Sequence, residues 1–294
     1  MATGYRIFNV TLARRVAITP SLLRCVFSGE EVALMKREAP DQRIKLLFPA
    51  REGTETAMPV SDDWYQQYRA LSKDIRPIMR TYTLRALRPR EQEIDVEFAL
   101  HGMTGPASRW AQTARPGSRL QIVAPNGLVE QDSGGYEWPE ALSPRRVLLI
   151  ADETALPAAM GILEQLARCA QPPSVQAFFD VPLRADEQPT GCAGAQVHWI
   201  HRERDTVRGE GLLNAVRRHV DIPACARRDG QQISESFDEE TRLWTRAGHP
   251  REFSAWVAGE SSTVKRLRRC LLDEYHLDSS AASFMAYWAQ GKAG

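Results

Sequence analysis

Polar and apolar residues alternate along the first 125 residues of the chain. A period of two is typical of strands that bury one face. Several short segments of this kind, separated by turn residues, predict a small antiparallel β-barrel of six strands. The candidate strands span residues 7–16, 22–27, 43–48, 80–87, 94–100 and 119–123.

The pattern changes after residue 145. Residues 146–151 form a continuous apolar run, as expected for a strand buried on both faces. Further strands at 175–179, 196–200 and 254–258 alternate with helices, which predicts a doubly wound parallel sheet. We therefore expect a barrel domain at 1–125, a linker rich in proline and glycine at 126–144, and an α/β domain at 145–294.

Composition limits the possible partners. The chain has 294 residues, 43% hydrophobic and 26% charged, with a net charge of +1. Without a dense basic block we expect no nucleic-acid partner, and without a long apolar run we expect neither a signal peptide nor a membrane segment. The five scattered cysteines contain no C-x-x-C pair, which argues against an iron–sulfur or zinc site. We expect a cytoplasmic monomer.

The first chemical motif is Arg80-Thr81-Tyr82-Thr83, at the start of a predicted strand. A guanidinium can pair with a phosphate, and a tyrosine ring can lie against the isoalloxazine of a flavin. A threonine hydroxyl can reach a ring heteroatom. The alternative is an ordinary edge strand.

A second motif follows the predicted strand that ends at His101. Glycines at 102 and 105 permit a tight turn, and Pro106 suits the first position of a helix. Ala107 and Ser108 would then present free amide hydrogens at a helix N-terminus, where anions bind. A pyrophosphate site and a simple capped turn are both compatible with this segment.

The second half lacks the Gly-x-Gly-x-x-Gly fingerprint of dinucleotide-binding folds. The first strand of this half leads through Asp152 to Pro157 into a helix that Thr154 could cap. A second strand–glycine–helix junction contains Gly259, Glu260 and Ser261, of which the serine can cap.

Asp180 ends the second strand of the predicted sheet, where an acidic residue can bind a ribose 2′-hydroxyl and favour NADH. Arginines on nearby turns could instead pair with the 2′-phosphate of NADPH. These are Arg184, Arg202 and Arg204. The choice between the two nucleotides stays open.

Four segments together resemble the siderophore-interacting proteins, which are flavin-dependent ferric-siderophore reductases of the ferredoxin-reductase superfamily. They are the Arg80–Thr83 motif, the strand ending at His101, Gly105-Pro106-Ala107-Ser108 with Trp110, and the final Ser283-Phe284-Met285-Ala286-Tyr287-Trp288. The resemblance extends from about Val10 to Trp288. It implies an FAD-binding barrel followed by an NAD(P)H-binding domain.

The resemblance also assigns roles to residues. The implied FAD contacts are Arg80, Thr81, Tyr82, Thr83, His101, Gly105, Pro106, Ala107, Ser108, Trp110, Thr154, Pro157, Tyr287 and Trp288. The implied contacts with the nicotinamide nucleotide are Asp152, Asp180, Gly259 and Glu260, and those with an anionic ferric chelate are Lys45, Lys265 and Arg266. Outer-sphere electron transfer needs no acid–base residue, so we assign none.

The expected activity passes electrons from NADH or NADPH through FAD to a ferric siderophore. Iron(II) binds hard oxygen donors more weakly than iron(III), so reduction releases the metal. A general flavin or ferredoxin-type reductase and a non-catalytic siderophore-binding accessory protein are the alternatives. The long polar stretch at 223–251 departs from the family pattern, and its role stays open, as does the identity of the siderophore.

Overall fold

The computed structural model describes residues 4–51, 54–61, 63–103, 105–138, 144–202, 207–228, 244–248 and 252–291. Arg204, and residues 229–243 and 249–251 of the polar stretch at 223–251, lie outside them. The chain divides into two compact units, Met1–Tyr136 and Glu137–Gly294. The division falls inside the segment 126–144.

The first unit is a curled antiparallel sheet. Its strands are β1 (Tyr5–Thr19), β2 (Leu22–Ser28), β3 (Arg43–Phe48), β4 (Ile78–Thr83), β5 (Ala86–Arg88), β6 (Glu93–Ala99) and β7 (Arg119–Pro125). Their order is β4-β3-β7-β1-β2-β6-β5. The described residues thus form seven strands, where the sequence predicted six.

The extra strand arises because the predicted strand at 80–87 is broken in two. The Leu84 amide donates to the Gln42 carbonyl, whereas the Arg85 amide donates to the Asp95 carbonyl. Between Leu84 and Arg85 the chain stops pairing beside β3, near one edge of the sheet, and starts pairing with β6, near the other edge. This crossing curls the sheet around its core.

The core of the first unit follows the alternation of the sequence. Ile44, Leu46 and Phe48 of β3 are buried inside the curled sheet. On the outer face, Leu47 packs with Trp64 in a separate apolar cluster. Trp64 begins α1 (Trp64–Ala70), so the segment between β3 and β4 covers part of the sheet.

The second unit is a mostly parallel sheet. Its strands are β8 (Arg146–Asp152), β9 (Ser174–Val181), β10 (Gln196–His201), β11 (Trp244–Thr245), β12 (Phe253–Glu260) and β13 (Ala282–Trp288), in the order β10-β9-β8-β12-β13-β11. Among the described strands of this second sheet, only β11 is antiparallel to its neighbour, which is β13. Strand order reverses between β8 and β12, which defines the switch point where ligands bind in such sheets.

Helices cover both faces of this sheet. Val147 and Leu149 of β8 pack with α3 (Leu156–Ala167), while Leu148 and Ile150 pack with α4 (Glu210–His219) and α5 (Ser261–Arg269). The remaining helix is α2 (Pro106–Thr113) of the first unit. Short helical turns span Glu30–Leu34, Arg184–Asp186, Ala224–Ala226, Cys270–Glu274 and Ser279–Ala281.

Two findings concern partners. Among the described residues, no helix combines the length and apolar character needed to cross a membrane. The same residues contain no group of three or more histidine, cysteine or acidic side chains placed to hold a metal ion.

Candidate functional site

Strand β4 separates the four residues of the first motif onto two faces. Successive strand residues alternate, so Arg80 and Tyr82 share one face and Thr81 and Thr83 share the other. The Tyr82 ring packs inside the curled sheet, with its centroid 4.5 Å from that of Phe98. Burial raises the pKa of the Tyr82 phenol, which therefore stays neutral.

The other face of β4 is linked to β3. Lys45 lies opposite Thr81 in the register, and its ammonium donates to the Thr81 hydroxyl over 2.7 Å. Burial, with a smaller contribution from Arg43, lowers the pKa of Lys45. The structure thus joins one residue assigned to the substrate with one assigned to the flavin.

The turn before α2 leaves the helix N-terminus open. Gly105 is the N-cap and Pro106 the first helical residue. Glycine has no side chain to accept a hydrogen bond, so the cap residue leaves the Ala107 and Ser108 amides without a side-chain acceptor. His101 is exposed at the other end of the turn.

Side chains of α2 hold this turn in place. Arg109 donates to the Met103 carbonyl over 3.1 Å, and Gln112 donates to the Gly102 carbonyl over 3.0 Å. Trp110 anchors the helix, because its ring stacks on Phe27 with centroids 5.8 Å apart. The position of the first helical turn is therefore fixed by the fold itself.

The space next to both glycines of the turn is open. A Cβ added at Gly102 or Gly105 meets no atom of the described residues within 4 Å. Free amides and the helix dipole favour an anion at this end of α2. These features fit the diphosphate of FAD, and neutral Tyr82 suits stacking against a flavin ring.

In the second unit, Asp152 joins three elements at the switch point. Its Oδ1 accepts hydrogen bonds from the amides of Thr154 and Ala155 and from the Thr154 hydroxyl. Its Oδ2 accepts from the Glu260 amide over 2.8 Å and from the Trp288 indole over 2.9 Å. Burial and the nearby charge of Glu153 raise the pKa of Asp152 to about 6, against the effect of these hydrogen bonds.

Two residues that were expected to cap helices, Thr154 and Ser261, do not do so in the structure. Thr154 does not cap α3; the helix begins after Ala155, and Asp152 accepts the amides that precede it. Nor does Ser261 cap α5, since it is already the first helical residue. The carboxylate of Glu260 accepts from the Thr263 amide instead.

The carboxylate of Asp152 also explains why position 259 is a glycine. Its φ of 154° lies in the region that side chains rarely adopt, and a Cβ there would lie 2.8 Å from Asp152 Oδ2. The family resemblance implies that this glycine contacts the nicotinamide nucleotide. In the structure the close neighbour is Asp152.

A buried charge cluster lies beside Asp152. Arg202 donates to both carboxylate oxygens of Glu153 and lies 3.2 Å from Asp180 Oδ1. Arg208 also donates to Glu153, and its guanidinium lies 4.8 Å from the Trp288 ring centroid. Burial raises the pKa of Asp180 to about 7, which outweighs the opposite effect of Arg202.

Sequence reasoning did not identify Glu153 or Arg208. Their roles depend on side chains from β8, β10 and the segment before α4 meeting at one edge of the sheet. The signal that could have found Glu153 is its place directly after a buried strand, next to Asp152.

The other predicted site residues lie within the second unit. Pro157 is buried in the first turn of α3. Tyr287 stacks on Trp244 with centroids 5.8 Å apart. On α5, Lys265 is exposed, whereas Arg266 donates to the Arg208 carbonyl and so holds the segment before α4.

A curled antiparallel sheet followed by a mostly parallel sheet defines the ferredoxin-reductase-like fold. Ferredoxin-NADP+ reductase from Plasmodium falciparum shares it, with a TM-score of 0.58 and 8% identity over 94% of this chain and 93% of that one. The family model of siderophore-interacting FAD-binding domains matches residues 11–129, and that of siderophore-interacting proteins matches 144–291. The chain belongs to the siderophore-interacting protein family.

Two further proteins show the likeness across the chain. Ferric vibriobactin reductase ViuB of Vibrio cholerae is 24% identical over 283 residues, which cover 95% of this chain and 88% of that protein. The crystal structure of a siderophore utilization protein from T. fusca has a TM-score of 0.73 and 26% identity, over 99% of this chain and 96% of that one.

Proposed function

We propose that this protein is an FAD-dependent ferric-siderophore reductase that takes electrons from NADH or NADPH. The observation that carries the proposal is the match of the two halves to a siderophore-interacting FAD-binding domain and to the siderophore-interacting protein model. A relative named ferric vibriobactin reductase supports the reaction type.

The residues of the first unit would bind and orient the flavin. The Ala107 and Ser108 amides hold its diphosphate, and Arg80 on β4 supplies a cation for the same group. Tyr82 lies against the ring system, and Thr83, 6% exposed on the opposite face of β4, is the candidate partner for a ring heteroatom. We also retain Thr81, His101, Pro106 and Trp110 as proposed flavin-site residues.

Bound FAD supplies the redox chemistry, since it accepts two electrons with a hydride and can release them singly. The chain's part is to hold the reactants. Lys45 of the first unit and Lys265 of the second are the cations that would attract an anionic ferric chelate, and Arg266 holds the segment before α4 through the Arg208 carbonyl. One NAD(P)H then reduces two Fe(III) and yields NAD(P)+, a proton and two Fe(II).

The test begins with the purified protein. Its visible spectrum reports bound flavin, and anaerobic NADH or NADPH should bleach that spectrum. Ferric chelates of catecholate, hydroxamate and carboxylate type are then added, with a colorimetric Fe(II) trap in the solution. The proposal predicts recovery of oxidised flavin together with trapped Fe(II).

Controls separate the alternatives. The Arg80→Ala variant should lose flavin on gel filtration, while the Arg90→Ala variant, altered at an exposed arginine in the turn before β6, should retain it. A colourless protein that binds chelates would indicate an accessory protein. Reduced flavin that stays reduced with every chelate, yet reduces a ferredoxin, would indicate a general reductase.

A further inference from the structure

The side chains at the carboxyl end of β9 determine which nicotinamide nucleotide, NADH or NADPH, can bind. In a doubly wound sheet the dinucleotide lies across the switch point, here between β8 and β12, and its adenosine ribose reaches the end of the second strand, here β9. An accessible acid at that position binds the 2′-hydroxyl of NADH and repels the 2′-phosphate of NADPH.

The acid at that position is withdrawn from solvent. Asp180 is 2% exposed and lies against the guanidinium of Arg202, with Oδ1 and Nε 3.2 Å apart. A ribose hydroxyl cannot reach a carboxylate buried in this way. Its repulsion of a 2′-phosphate is also reduced, because Arg202 lies against it and burial raises its pKa to about 7.

Two of the nearby arginines are also engaged. Arg202 and Arg208 both pair with Glu153, which is 3% exposed. Arg202 holds Asp180 in addition, and Arg208 covers the Trp288 ring. Releasing Arg202 for a phosphate would leave Asp180 without this cation, and releasing Arg208 would remove one of the two cations of buried Glu153, so either change is costly.

Arg184 differs from both. It begins the helical turn Arg184–Asp186 directly after β9, and its side chain is exposed. Within the described part of the chain, its side chain takes part in no hydrogen bond or ion pair. The neighbouring acid Glu187 accepts from His201 over 2.8 Å, so it has its own partner.

The turn that carries Arg184 is rigid. The Leu183 amide donates to the carboxylate of Asp186, and the Asp186 amide donates back to the Leu183 carbonyl, each over 3.0 Å. Asp186 is itself 2% exposed. The chain therefore holds the backbone of Arg184 at a fixed place beside the end of β9, from which its exposed guanidinium can reach a phosphate.

We infer that Arg184 binds the 2′-phosphate of NADPH and that this protein prefers NADPH over NADH. The inference rests on the proposed function and adds the identity of the electron donor. Arginine suits this role because its planar donors match phosphate oxygens in pairs.

The test compares two nucleotides that differ in one phosphate. Binding of 2′,5′-ADP and of 5′-AMP to the holoprotein is measured by titration calorimetry, for the wild type and for Arg184→Ala. We expect the wild type to bind 2′,5′-ADP at least tenfold more tightly than 5′-AMP, and Arg184→Ala to lose about tenfold of that ratio. The NADPH-over-NADH ratio of kcat/KM for flavin reduction should fall by a similar factor.

Arg168→Ala is the matched control. Arg168 is an exposed arginine of the same unit at the other end of α3. Equal binding of the two nucleotides by the wild type, or equal effects of the two substitutions, would overturn the inference. The binding ratio decides this whether or not the flavin is reduced, while failure of both NADH and NADPH to reduce it would overturn the proposed donor instead.

Discussion

At the start of α2, the N-cap glycine offers no side-chain acceptor to the helix amides; at the end of β8, one carboxylate accepts five hydrogen bonds. Both places are strand–turn–helix junctions with a nearby glycine. In the first, a Cβ added at Gly105 would meet no described atom within 4 Å. In the second, Gly259 leaves room for Asp152 of the same chain. The same local pattern therefore leaves space beside the glycine in one unit and serves internal cohesion in the other.

The largest effect should come from removing the carboxylate. Asp152→Ala leaves the Glu260 amide and the Trp288 indole without their acceptor, so we expect the second unit to lose about 3–5 kcal/mol of stability. Urea unfolding followed by tryptophan fluorescence measures this. Asp221→Ala, which removes an exposed partner of Arg146, should cost less than about 0.5 kcal/mol. Similar losses for the two variants would contradict the account of Asp152.

A methyl group at Gly259 should have the next largest effect. Gly259→Ala forces a Cβ against the carboxylate of Asp152 and a strained φ, at about 2–3 kcal/mol. Gly191→Ala is the control, since its φ is also positive (65°) but a Cβ there meets no described atom within 4 Å. It should cost about 1 kcal/mol. Equal unfolding midpoints for the two variants would show that the contact with Asp152 is unimportant.

The stability of the second unit should also depend on pH through Asp180. Its pKa is raised in the folded state, to about 7, so the fold binds more protons than the unfolded chain between about pH 4 and 7. Stability contributed by the protonated form is lost as the pH rises through 7. We expect the wild type to lose about 1–2 kcal/mol relative to Asp180→Asn between pH 5 and pH 8. Parallel stability curves for the two proteins would refute this.

The smallest effect concerns the open helix end. Gly105→Asp places a carboxylate at the N-cap of α2, over the amides of Ala107 and Ser108, and so competes with a phosphate. FAD affinity should fall about tenfold while the first unit becomes slightly more stable. Thr113→Glu adds the same charge at the other end of α2 and serves as the control in fluorescence titrations with FAD. Undiminished FAD binding by Gly105→Asp would place the diphosphate elsewhere.

The sequence was a good guide where structure is local. Alternation located the strands of the first unit, and the glycine and proline before Ala107 predicted the open helix end. The break at Leu84–Arg85 was missed because it depends on two distant partners, the carbonyls of Gln42 and Asp95. A continuous β-pattern does not reveal such a change of partner.

The side-chain contacts of the second unit were harder to predict from the sequence, because they also depend on distant partners. The ends of its strands were predicted closely, but the contacts that Asp152 and Asp180 make within the chain were not. Those contacts come from Trp288 and Arg202, which lie far away in the sequence. A buried acid satisfied by its own chain and an acid awaiting a ligand look alike until the tertiary contacts are known.

The central claim is that flavin held by the first unit delivers single electrons to ferric chelates. The most direct measurement is an anaerobic titration of the NADPH-reduced protein with ferric siderophore, in which oxidised flavin and trapped Fe(II) are counted together. The account predicts two Fe(II) for each flavin reoxidised. Chelate that binds while the flavin stays reduced and no Fe(II) forms would contradict it.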